Sequence, residues 1–85
     1  MAGTAMSSRL NMHHILLLAG GMQRLANEHG LTSEISVTGD PALTVWRADN
    51  LGKVNFYLFD PLTLDQAGVD DIVNKAAEDF ARPNA

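Results

Sequence analysis

Apolar residues recur at steps of three and four near the start of the chain. Met12, Ile15, Leu18, Ala19, Met22, Leu25 and Ala26 share one helical arc about 100° wide, which predicts a first helix from about Arg9 to His29. Gly30 is placed to end it as a C-cap. From Leu31 to Thr38 the period changes to two, with Ile35 and Val37 on one face and Glu34, Ser36 and Thr38 on the other. Gly39-Asp40-Pro41 reads as a turn. Leu43 to Ala48 and Lys53 to Phe59 predict two more strands, joined through Asp49-Asn50-Leu51-Gly52. After Asp60-Pro61, Thr63 and Gln66 have capping-box spacing, with Leu62 and Ala67 as a hydrophobic staple. Val69, Ile72, Val73, Ala76, Ala77 and Phe80 then keep helical spacing until Pro83.

The expected fold is α+β in the order helix-strand-strand-strand-helix. A three-stranded antiparallel meander carries both helices on one face, because each helix has a single apolar stripe to bury. Residues 9–82 form the expected domain, residues 1–8 a flexible leader and residues 83–85 a tail.

Alternation along the strands assigns the two faces of the sheet. Leu43, Val45, Val54, Phe56 and Leu58 are expected inward, which turns Thr44, Trp46, Ala48, Asn55, Tyr57 and Phe59 the other way. If the helices cover the inward side, the second face is a candidate partner-binding surface made of Trp46, Tyr57, Phe59, Thr44 and Asn55. Rigid aromatics there supply contact area while polar neighbours keep the surface soluble. A register with Trp46 pointing inward is the alternative.

Charge adds a second candidate surface. The formal net charge of -4 lies entirely after Phe59, where Asp60, Asp65, Asp70, Asp71, Glu78 and Asp79 face only Lys75 and Arg82. Asp65, Asp70, Asp71 and Glu78 on the second helix would suit a basic partner surface. With 85 residues and no cysteine, the chain has neither the size of a large enzyme fold nor a thiolate for metal, redox or nucleophilic chemistry. Its longest apolar run, Ile15 to Ala19, is far short of the ~18 residues of a membrane span. His13 and His14 are neighbours about 100° apart on a helix and cannot share an ion, so no metal site, cofactor or catalytic group is expected. His14 is expected to be partly exposed, and His29 to sit at the helix end as a cation favoured by the dipole.

The stretch from Ile15 through Gly20, Gly21 and Arg24 to Leu25 resembles the opening signature of sugar-phosphate nucleotidyltransferases, an apolar strand running into a Gly-rich loop. That resemblance implies phosphate contacts at Gly20, Gly21 and Arg24. Helical periodicity runs through the glycines instead, which favours one helix over strand-loop-helix. Two glycines inside a helix cost about 1 kcal/mol each relative to alanine, so a compensating close contact is expected. Leu17, Gly20, Gly21 and Arg24 are therefore candidates for self-association on the outer face of the helix, the alternative being a simple kink.

The element order is similar to that of double-stranded-RNA-binding domains. That family implies a lysine cluster at the start of the second helix, where this chain has Asp65, Asp70 and Asp71, and carboxylates there disfavour nucleic acid. In size and acidity the chain resembles small inhibitors and accessory proteins of phages and mobile elements, anti-CRISPR proteins included. The functional expectation is a non-enzymatic, cytoplasmic protein-binding or regulatory module, with a homodimer as one expected form; a subunit of a larger assembly, or a nucleic-acid-binding domain, is the alternative.

Overall fold

A computed structural model describes residues 10–37 and 39–81; the expected leader and tail lie outside these residues. The elements are α1 (Met12–His29), β1 (Thr32–Ser36), β2 (Ala42–Arg47), β3 (Asn50–Leu58) and α2 (Gln66–Asp79). The strands pair antiparallel in the order β1-β2-β3, so the fold is the expected α+β arrangement.

Helix α1 starts at Asn11, whose side chain accepts from the His14 backbone N–H at 3.1 Å while the Asn11 N–H donates to His14 Nδ1 at 3.3 Å. This reciprocal cap satisfies two donors that a helix start leaves open. The helix passes without a break through Gly20 and Gly21, so the strand-loop-helix alternative does not occur. Gly30 ends it in the left-handed region at φ 65°, a conformation cheap only for glycine. Asp65, rather than Thr63, caps α2: its carboxylate accepts from Gly68 N–H at 2.8 Å. A carboxylate at a helix N-terminus makes a charge-assisted bond that also complements the dipole. Thr63 is held back in the turn that follows Pro61, where its N–H donates to the Asp60 carbonyl at 3.1 Å.

Both helices lie on the sheet face of Leu43 and Val45, and the core joins these to Leu18, Leu25, Leu31, Val69, Ile72, Val73, Ala76 and Phe80. The stripe α1 buries differs from the periodicity reading. Leu18, Gly21 and Leu25 are buried and Leu17 packs beside them, whereas Met12, Ile15, Ala19 and Ala26 are exposed. At 100° per residue the buried arc is rotated by about 90° from the expected one. Gly21 supplies the reason. A Cβ built there would stand 2.7 Å from Val69 Cγ1 and 3.3 Å from Val73 Cγ2, so only a residue without a side chain lets α2 come this close. Gly21 and Leu17 thus face α2 within the fold, not an outer surface.

Arg47, at the end of β2, gathers both helix C-termini. Its guanidinium donates to the His29 carbonyl at 3.2 Å and to the Phe80 carbonyl at 2.7 Å. Carbonyls at a helix end lack intrahelical partners and carry partial negative charge, so one planar cation with several donors suits two of them at once. The two helices therefore run in the same direction across the sheet.

The glycine pair gives a stability test. Nothing lies within 4 Å of a Cβ placed on Gly20, so Gly20→Ala is expected to stabilise the fold by up to ~1 kcal/mol in urea unfolding. Gly21→Leu should destabilise it by about 2–3 kcal/mol, because stiff β-branched valines cannot give way. Equal effects at the two positions would refute the close-approach account.

Candidate functional site

The sheet face turned away from the helices is built by three cross-strand rows. Thr32, Trp46 and Val54 form one, Glu34, Thr44 and Phe56 the next, and Ser36, Ala42 and Leu58 the third. Side chains on β3 stand proud: Phe56 is 65% and Leu58 67% exposed, with Val54 at 41%. On β2 the small residues Ala42 and Thr44 are buried between taller neighbours, and Thr44 Oγ1 shares a hydrogen bond with Ser36 Oγ at 2.9 Å. The result is an apolar ridge along β3 beside a trough over β2 and β1. An open depression of about 540 Å3 lies there, lined by residues that include Ser36, Val37, Ala42, Phe56 and Leu58.

This face differs from the expected one in its β3 half. Trp46 and Thr44 stand on it as expected, but Tyr57, Asn55 and Phe59 point to the helix side, and Val54, Phe56 and Leu58 take the open side. The cause is the pairing register. Arg47 pairs with Asn50 across the two-residue turn Ala48–Asp49, yet Trp46 pairs with Val54, so Leu51, Gly52 and Lys53 are inserted on β3 opposite no residue of β2. An odd number of inserted residues turns every later side chain to the other face. The sequence signal was Gly52 within a strand, a frequent mark of a bulge.

On the helix side the β3 residues fasten the end of α2. Tyr57 donates to an Asp79 carboxylate oxygen at 2.8 Å and receives an Asn55 amide N–H at 3.1 Å. Lys53 Nζ donates to the Asp79 carbonyl and lies 4.7 Å from the centre of the Phe80 ring. Burial, reinforced by the Asp79 carboxylate, pushes the Tyr57 phenol up to about 12, against an opposing effect from Asn55.

Three of the four acids expected on the second helix, Asp65, Asp70 and Asp71, have partners within the chain. Asp70 accepts from Gln66 at 2.9 Å and from Arg24 at 2.6 Å, and these two bonds hold its carboxyl below the usual range. Asp71 lies 3.9 Å from Lys75, and Asp65 is the N-cap. Glu78 is exposed. Of the four residues expected on a self-associating face of α1, Leu17 packs against the core, Gly21 is buried, Arg24 is tied to Asp70, and Gly20 alone stands open. His13 and His14 rings are 6.0 Å apart and tilted by 52°. Among the described residues no three His, Asp or Glu side chains gather as a metal site would require, and no helix is long and apolar enough to cross a membrane.

Comparisons with protein-family profiles, with curated proteins and with solved structures gave no match.

The pKa directions yield a pH test. A phenol whose folded pKa lies above its unfolded 10.0 adds stability that is whole below pH ~10 and is lost as the pH rises through about 12. Tyr57→Phe should cost about 1 kcal/mol at neutral pH and remove this alkaline loss, so its denaturation midpoint should approach that of wild type at high pH. The carboxyl of Asp70 works in the opposite sense: its folded pKa is lowered, so its contribution is present above the ordinary carboxylate range and lost on acidification, and Asp70→Asn should lack that loss. A Tyr57→Phe chain with the wild-type alkaline slope would refute the phenol assignment.

Proposed function

We propose that the protein is a protein-binding module whose contact surface is the uncovered sheet face. The observation that carries this reading is the ridge of Val54, Phe56 and Leu58, with Trp46 at one end, left open to water on a sheet whose other face carries both helices. Placing three large apolar side chains side by side in solvent gives up part of the roughly 1.5–3 kcal/mol that full burial of each is worth, a cost offset when a partner covers them. Contiguous apolar patches rimmed by polar residues are the usual mark of an interaction site, and Thr32, Glu34 and Asp40 supply such a rim. Asp65 and Asp70, which bond within the fold, are secondary to this surface. The lack of cysteine fits action in a reducing cytoplasm.

Site-specific photo-crosslinking tests the reading. A photoreactive phenylalanine analogue at position 56 should give covalent protein adducts in cells, and one at Asn74, exposed on α2, should give none. Phe56→Lys should prevent partner binding while shifting Tm by no more than a few degrees, since a side chain this exposed contributes little to the fold. No adduct at position 56 would refute the proposal.

A further inference from the structure

We infer that the free edge of β3 takes an extended segment of a partner protein as an added antiparallel strand, with apolar residues on the open face alternating with basic residues on the helix side. This rests on the binding reading above and names the form its partner takes.

The direction of the β3 backbone specifies the occupant. β3 pairs on one side only, with β2, and no further strand joins it among the described residues. Just past its end, Phe59 N–H donates to the Pro41 carbonyl at 3.2 Å, in register with the pairs of Leu58 with Ala42 and Tyr57 with Leu43. Along an antiparallel ladder, residues bonded to the neighbouring strand alternate with residues whose N–H and C=O point away from it. Phe59, Tyr57 and Asn55 are therefore the residues bonded toward β2, and Leu58, Phe56 and Val54 turn their N–H and C=O to the free edge. The residues whose side chains form the apolar ridge are thus the same ones that present open backbone donors and acceptors. An extended chain matches the spacing of both sets at once, through its own backbone and its alternate side chains.

The other edge is less suited. β1 has five residues against nine in β3, and by the same alternation its outward groups belong to Ser33 and Ile35, of which Ile35 already packs against the core. Long edges are commonly guarded by lysine, proline or an inward charge. From Val54 to Leu58 there is none of these, and the Lys53 ammonium is turned back onto the Asp79 carbonyl.

Charge sets the other half of the partner's pattern. Side chains of an added strand point alternately to the open face, beside Val54, Phe56 and Leu58, and to the helix side. There the flank of β3 falls into an open depression of about 220 Å3 between the end of β3, the turn after it and the first half of α2, lined by residues that include Leu58, Asp60, Leu64 and Asp71. Among the described residues none from β1, β2 or α1 lines it, so it lies at the outer edge of the sheet. Asp60 accepts the Leu62 N–H with one oxygen at 2.9 Å, and the exposed Asp71 stands 3.9 Å from Lys75. Basic side chains reaching over the edge meet these carboxylates, in a chain whose whole excess charge of -4 lies after Phe59. A second copy of the chain would bring like charge instead.

Amide hydrogen exchange tests the inference, with a short blocked peptide of alternating lysine and valine as the probe. In the protein alone, Asn55 and Tyr57 should exchange slowly and Phe56 and Leu58 fast. The peptide should slow Phe56 and Leu58 at least ~10-fold and leave Ser33 and Ile35 on the other edge unchanged. With valines on the open face, their backbone nitrogens face β3, so N-methylation of the valines should abolish this protection and N-methylation of the lysine backbone should not. A peptide with glutamate in place of lysine should bind at least ~10-fold more weakly, and added salt should weaken the lysine peptide. No protection at about 1 mM lysine peptide, equal effects of the two methylations, or a glutamate peptide that binds as well overturns the inference. So does protection that rises with the concentration of the protein alone, which would put a second copy on the edge. Crosslinking at position 56 separates this failure from that of the binding reading: a protein adduct without peptide protection keeps the binding reading and overturns the added strand, and no adduct overturns both.

Discussion

The close approach of α1 to α2 over Gly21 governs the rest of the fold. With 2.7 Å between a notional Cβ and Val69 Cγ1, no other residue fits without displacing the valine side chains or α2 itself. Once the helices meet there, the orientation of α1 about its own axis is set: Leu18 and Leu25 go into the core, Leu17 and Arg24 turn toward α2, and Met12, Leu16 and Ala19 turn to water. A helix with a wide apolar arc has several ways to bury part of it. The glycine decides among them because contact distance, not hydrophobicity, is the scarcer quantity at this interface.

Arg47 and the β3 insertion complete what the helix contact begins. The two helices end against the same guanidinium, so the cation at the tip of the central strand fixes where both layers terminate. On the neighbouring strand, the residues inserted before Val54 bring Lys53, Asn55 and Tyr57 to the helix side, where they bond to Asp79 or to one another. Polar groups thus take the inner positions of β3, which lies at the edge of the sheet and is only partly roofed by helix. Apolar groups take its outer positions. That exchange satisfies the inner donors within the chain and leaves the apolar ridge open to water.

A chain of this length has little core to spare, and among the described residues the cluster of buried side chains draws on the two helices, Leu31 and the central strand. In the binding reading proposed above, the apolar surface withheld from so small a core and grouped on one sheet face forms part of an interface. Beside the ridge, the small residues Ala42 and Thr44 are buried and leave a trough along β2.

Element order and type were legible in the sequence, because the change from a period of three and four to a period of two and back is a local property of the chain. So were the stop at Gly30, the core stripe Val69, Ile72, Val73, Ala76 and Phe80, and the outward placement of Trp46 and Thr44. The candidate face was half legible: its β2 side was correct and its β3 side inverted, since strand alternation defines two faces without saying which one meets the helices, and a slip of one residue exchanges them. Likewise, Gly20 and Gly21 were visible as a problem needing a close contact, but the contact is made at Gly21 alone and its partner is α2, while Gly20 stands open. What the sequence determined by itself is therefore the set of elements and their order, through local periodicity and capping. Which side of α1 is buried, and which side of β3 is left to water, was decided only in the tertiary structure, because each depends on a distance or a register between segments far apart along the chain.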